Sequence, residues 1–181
     1  KVPRVDGGLE NAPMPPPPPQ AERPRPKLEG SRTSSTTLAN MTEERFADLP
    51  VAESTKRALA EVFGYALMTK VQAKTIAPGL SGRDVVAKAK TGTGKTLAFL
   101  IPGLERVFRE PPPRGHVGLL VVSPTRELAQ QTADEAKALV RFAHAPGGGP
   151  VRIQVVVGGT NMNREASEFR STPPAVLVAT P

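Results

Sequence analysis

The chain has 181 residues, 38% of them apolar, which is enough for one core of ordinary size and not for two. With no cysteine it can hold no disulfide, thiolate zinc site or cysteine nucleophile, and its two histidines, His116 and His144, read as scattered surface residues, cannot form a histidine metal cluster. Lys and Arg total 24 against 17 acids, a net charge of +7 that suits an anionic partner such as nucleic acid and equally suits an inert basic surface.

Residues 1–42 hold nine of the 21 prolines, five of them in the run Pro15 to Pro19, and hardly any large apolar side chains. Such a composition cannot bury enough surface to offset the entropy of ordering, so the segment is predicted to be a disordered tail with local polyproline II. It reads as a solvated linker, with a ligand for an aromatic-groove module as the alternative. From Phe46 the pattern changes. Ser54 or Thr55 is predicted to cap a helix carrying Ala58, Leu59, Val62 and Phe63, closed by Gly64, and a second helix carries Gln72, Ile76 and Leu80.

Apolar β-branched runs and helical segments then alternate. Strands are predicted at Val85–Ala87, Leu119–Val122, Val151–Val157 and Ala175–Val178, with helices at Thr96–Arg109, Arg126–Phe142 and Asn161–Phe169. Continuous apolar strands alternating with helices argue for an α/β fold with a parallel sheet covered on both faces. In such sheets ligands bind at the carboxyl ends of the strands, where the loops after Ala87, Val122 and Val157 should lie. The longest apolar stretch, Leu97 to Leu104, is far short of the roughly 18 residues of a membrane span, and no membrane association is expected.

The loop Ala89-Lys90-Thr91-Gly92-Thr93-Gly94-Lys95-Thr96 fits the phosphate-binding pattern G-x-x-x-x-G-K-[ST] except that alanine opens it. Gly92 and Gly94 have no side chain to block a phosphate, and backbone N–H groups from Thr93 to Thr96 can point at it from a helix N-terminus. Lys95 would neutralise the β- and γ-phosphates and the Thr96 hydroxyl would ligate Mg²⁺. Thr91 and Thr93 read as small loop residues rather than phosphate donors.

With its alanine, this loop resembles that of the superfamily 2 helicases, the DEAD-box RNA helicases in particular. Phe46, Gly64-Tyr65 and Thr69-Lys70-Val71-Gln72 resemble the family's adenine-reading Q motif; Lys70 departs from it, since proline is usual there, which weakens the preset turn that presents Gln72. Pro124-Thr125-Arg126-Glu127-Leu128-Ala129-Gln130 matches motif Ia, Gly158-Gly159 resembles the GG motif, and Ala179-Thr180-Pro181 resembles the start of motif Ib. The group whose loop is followed by Ala98-Phe99-Leu100-Ile101-Pro102 includes mitochondrial and plant members.

The resemblance implies a partial RecA-like domain over residues 43–181 that binds ATP with Mg²⁺ and grips RNA through its backbone. The Gln72 amide, one acceptor beside donors, matches adenine N7 and N6–H₂, whereas guanine presents two acceptors there; Gln72 therefore argues for ATP over GTP. Phe46 would stack on the base, or else anchor the core. Pro124, Thr125, Arg126, Gly158, Gly159 and Thr180 would contact RNA phosphates, which carries no base information. The Asp-Glu-Ala-Asp box and the Ser-Ala-Thr motif do not occur in the sequence, so half a site should bind better than it hydrolyses. The chain opens on Lys1 and stops at Pro181 straight after an apolar run, from which both ends are expected to be cut; an intracellular setting is expected, the organelle open. Two rivals are a superfamily 2 DNA helicase, which motif Ia disfavours, and a nucleotide-independent interaction module acting through the proline tail, which would be indifferent to Lys95.

Overall fold

The computed structural model describes residues 40–181 apart from Arg114, Pro146, Gly147, Thr160, Asn161 and the side chain of Met162. The proline-rich segment therefore lies outside the described residues. All described residues belong to one compact unit, Thr33–Pro181.

An antiparallel pair opens the fold: β1 (Met41–Arg45) runs against β2 (Leu67–Thr69). Between them Phe46–Asp48 makes a 3-10 turn, and α1 (Glu53–Ala58) passes into a π turn at Leu59–Phe63. Gly64 stops this helix at φ 70°, a left-handed conformation that needs glycine, and Tyr65 N–H returns to Leu59 O. The predicted cap is corrected: α1 starts from Ala52, which has no capping side chain, and Thr55 is already inside the helix. A carboxylate from elsewhere in the chain takes the cap position, as described below.

Next comes α2 (Lys70–Leu80), packed on α3 (Lys95–Arg109). The packing is close: a Cβ on Gly79 would lie 2.9 Å from the ring of Pro102, so only glycine lets the helices approach this far. On α3, Leu97, Leu100, Ile101 and Leu104 recur at helical spacing and are buried, leaving Phe99 on the outer face.

The sheet proper has three parallel strands in the order β3 (Leu119–Val122), β5 (Val176–Ala179), β4 (Ile153–Val156). Central β5 buries Val176 and Val178 completely, and α4 (Arg126–Leu139) covers β4 and β5 with Ala129, Ala133, Ala136 and Leu139. Burying each of these valines contributes about 1.5–3 kcal/mol. Helix α5 (Met162–Ser171) connects β4 to β5, and Gln154 on β4 donates to Glu165 O on α5. This is the α/β architecture with a partial RecA-like parallel sheet flanked by helices that the sequence predicts.

One predicted strand is corrected. Val85–Ala87 forms no strand and has no ladder partner, and Val85 and Val86 are 42% and 103% exposed. A β-branched run becomes a strand only when a neighbour pairs its N–H and C=O groups, and among the described residues none does. The outer edge of β3 is open, with Leu120 and Val122 exposed, as expected of a sheet short of strands. Other boundaries shift slightly: α4 ends at Leu139, where Arg141 N–H turns to bond Ala138 O, and β4 is four residues rather than seven.

Candidate functional site

The Gly-rich loop opens α3 although no strand precedes it. Gly92 and Gly94 stand at φ 74° and 82°. Among the described residues no non-glycine residue has positive φ, so position 89 does not need glycine and alanine fits it. Gly94 is the N-cap and offers no side chain to the first turn, so the positive end of α3 is left for another acceptor. The Lys95 side chain folds back over the loop, its Nζ donating to Ala89 O at 2.7 Å and to Lys90 O. Thr93 Oγ1 donates to the same Lys90 carbonyl at 2.8 Å, a loop-closing role, while Thr91 is exposed and Thr96 is half-buried in the first turn. An uncapped helix start, two left-handed glycines and an ammonium over the loop together fit a phosphate chain.

The Q region sits directly on this loop. Thr69 caps α2: its Oγ1 accepts from Gln72 N at 3.4 Å while Gln72 Oε1 accepts from Thr69 N at 2.8 Å. The same two side chains reach the loop, Thr69 Oγ1 donating to Thr93 O at 2.8 Å and Gln72 Nε2 donating to Gly94 O at 3.1 Å. Gln72 is buried at 3% exposure; its second amide hydrogen and second lone pair are unspent, but a base would reach them only after the surrounding chain moved. Lys70, where proline would be usual, is the first helical residue, and its N–H donates to Asn40 O. The turn is preset by the Thr69–Gln72 box, and proline is not needed for it. Thr69 joins the site through its cap, and the spacing Thr-x-x-Gln carries the capping-box signal in the sequence.

Phe46 is placed differently. At 2% exposure it packs in the core, so a base would meet its ring only after the surrounding chain opened.

Gln72→Ala removes the reciprocal cap and the tether to Gly94. Each hydrogen bond is worth about 1 kcal/mol, so a loss of about 1–2 kcal/mol in urea unfolding is expected.

The second cluster lies at the carboxyl ends of the sheet strands. Val122, Ala179 and Val156 stand in one row, and Ser123 N–H bonds Ala179 O while Thr180 N–H bonds Val156 O. Level strand ends bring Pro124-Thr125-Arg126, Thr180 and Gly158-Gly159 together from three separate stretches. Thr180 Oγ1 accepts from Gly158 N at 3.3 Å. The Arg126 guanidinium lies against Gly159: a Cβ there would be 2.9 Å from Nη2 and 3.1 Å from Nη1, and φ is already 85°. Thr125 caps α4, its Oγ1 accepting from Leu128 N. Its hydroxyl also serves Glu127, whose carboxyl is held below the usual range by its own backbone N–H, by Thr125 and by Arg126. Glu127 therefore belongs to the helix start, and Arg126 is the cation this corner presents.

A Gly-rich loop opens a helix beside a three-stranded parallel sheet, an α/β arrangement that fits a partial RecA-like domain. Residues 69–181 match the DEAD/DEAH box helicase family model, and the chain belongs to that family. It is 40% identical over 159 residues to DEAD-box ATP-dependent RNA helicase 31 of Arabidopsis thaliana, an alignment covering 85% of this chain and 21% of that protein. It is 39% identical over 167 residues to the mitochondrial ATP-dependent RNA helicase cyt-19 of Neurospora crassa, covering 84% and 26%. With DEAD-box ATP-dependent RNA helicase 26 of Oryza sativa subsp. japonica it shares 43% over 143 residues, covering 79% and 25%. The chain thus spans about a fifth to a quarter of the length of these relatives. No helix among the described residues is long and apolar enough to cross a membrane.

Proposed function

We propose that this chain carries the ATP-binding loop and part of the RNA-binding surface of an ATP-dependent RNA helicase. The observation that carries the reading is the direct bonding of Thr69 and Gln72 to the Thr93 and Gly94 carbonyls, which ties a base-reading amide to a phosphate loop. In this reading residues 1–42 are a tail and residues 43–181 are the Q region with an incomplete first RecA-like domain. Gln72 reads the adenine edge and the N–H groups from Thr93 to Thr96 hold the phosphates. Lys95 exchanges its two loop carbonyls for phosphate oxygens.

Thr96 would give Mg²⁺ one oxygen, with nucleotide phosphates and water completing the shell. Among the described residues no cluster of three or more acidic or histidine side chains stands ready to add more. Bound ATP supplies the phosphoryl bond whose cleavage drives the cycle. This chain binds and orients it, and cleavage depends on metal, positioned water and charge stabilisation around the γ-phosphate.

Arg126, Thr180 and Gly158-Gly159 form the RNA end of the reading, a backbone grip without base preference. Motif Ia favours RNA over DNA as the strand held there. Gly159→Ala forces the Arg126 guanidinium off its glycine platform and strains the backbone. Fluorescence anisotropy with a single-stranded RNA should show about fivefold weaker binding for that variant, the equivalent of about 1 kcal/mol. Equal binding of RNA and DNA oligonucleotides of one sequence by the wild-type chain would favour the DNA-helicase rival.

A further inference from the structure

We propose that Glu105 is a positioning residue for nucleotide binding, holding the segment before the Q region in register with the phosphate loop from the far half of α3. The inference rests on the reading of Thr69–Gln72 as the base-recognising region.

Glu105 lies ten residues after Lys95, about 15 Å along the helix at 1.5 Å per residue. It is 2% exposed, and its carboxylate meets two donors fifty residues upstream. Oε2 accepts from Ala52 N at 3.0 Å and Oε1 accepts from the Thr55 hydroxyl at 2.6 Å. These are the N-cap and third residues of α1, the helix whose own N-cap has no side chain to use. Glu105 is therefore the cap of α1, delivered from another helix, and its negative charge faces the positive end of that helix. One turn later Arg109 Nη2 donates to Pro50 O.

The chain from Pro50 to Gln72 is consequently fastened to α3 at two places. Thr69 and Gln72 grip the loop at the helix start, and Glu105 with Arg109 grip Pro50, Ala52 and Thr55 near its end. An apolar residue at 105 could fill the same space. Holding both Ala52 N–H and the Thr55 hydroxyl takes a side chain with two polar ends, and a carboxylate does so with the stronger, charge-assisted bonds. What the clamp sets is the position of Gln72 relative to Lys95, which a ligand carrying both base and phosphates senses and a phosphate chain alone does not.

The test compares equilibrium binding of MgATP and of Mg²⁺ with inorganic tripolyphosphate by calorimetry, using wild type, Glu105→Ala, Glu105→Gln and Thr55→Val, each checked for folding by circular dichroism. Glu105→Ala should weaken MgATP about tenfold and leave tripolyphosphate within about twofold. Glu105→Gln can accept from Ala52 N–H with Oε1 and donate to the Thr55 hydroxyl with Nε2, so it should stay within about threefold of wild type. Thr55→Val keeps the side-chain volume and loses one of the bonds; a loss of about threefold for MgATP alone is expected, and this variant with Glu105→Gln decides the matter should Glu105→Ala fail to fold. Equal loss of both ligands, or unchanged MgATP binding in folded Glu105→Ala or in Thr55→Val, overturns the proposal. Wild-type protein binding tripolyphosphate as tightly as MgATP would instead overturn the base-reading assignment on which it rests.

Discussion

Lys95→Ala should abolish nucleotide binding, weakening it by about 100-fold or more while the protein stays folded. The lysine ammonium reaches over the loop, where it holds Ala89 O and Lys90 O. Both are neutral acceptors, and phosphate oxygens would replace them with charge-assisted bonds worth about 1.5–3 kcal/mol each. Losing about 3 kcal/mol corresponds to about two decades in Kd. Stability should change little, because at least one of the two bonds lost is at an exposed carbonyl that water can serve. The measurement is a titration with a fluorescent ATP analogue alongside urea unfolding. Retained binding would show that the loop is not the phosphate site, and would favour the interaction-module rival.

Gly94→Ala should be the most damaging glycine substitution in the loop. The new Cβ would stand 2.4 Å from Gln72 Nε2 and 3.1 Å from its Cδ, at a backbone φ of 82° that L-residues resist. Gln72 would have to leave, and with it go the bond to Gly94 O and the bond to Thr69 N. Strain of about 1–2 kcal/mol plus about 1 kcal/mol for each lost bond gives a destabilisation of about 3 kcal/mol. Gly92→Ala is the control, since its φ is 74° but nothing lies within 4 Å of a Cβ there. It should cost only the backbone strain. Equal unfolding midpoints for the two variants would mean that the Gln72 contact contributes nothing.

The sequence made the short-range parts of this site readable and left the long-range parts dark. The Gly-rich loop, the helix it opens and the Thr69-Gln72 spacing are local patterns, and each forms where local chemistry puts it. The meeting of Arg126 with Gly159, and of Thr180 with Gly158, comes from the register of three parallel strands, which no local pattern encodes. Here motif resemblance identified the residues and the sheet explains their proximity. Glu105 is invisible for the same reason: its partners are fifty residues upstream, and along the chain it is one of four charged residues on its helix. Val85–Ala87 failed in the opposite direction. Its composition is that of a strand, but a strand also needs a neighbour, and composition says nothing about whether one is present. The β1–β2 pair was missed because Met41–Arg45 carries three charged residues in five and shows no alternation.

In the proposed site adenine and phosphate are read together. Calorimetric titration of the wild-type chain with MgATP and with MgGTP tests this most directly. ATP binding at least about tenfold tighter than GTP, with the difference lost in Gln72→Ala, is the expected result. Equal affinities for the two nucleotides would contradict the role given to Gln72, and no binding of either by the folded chain would contradict the site itself.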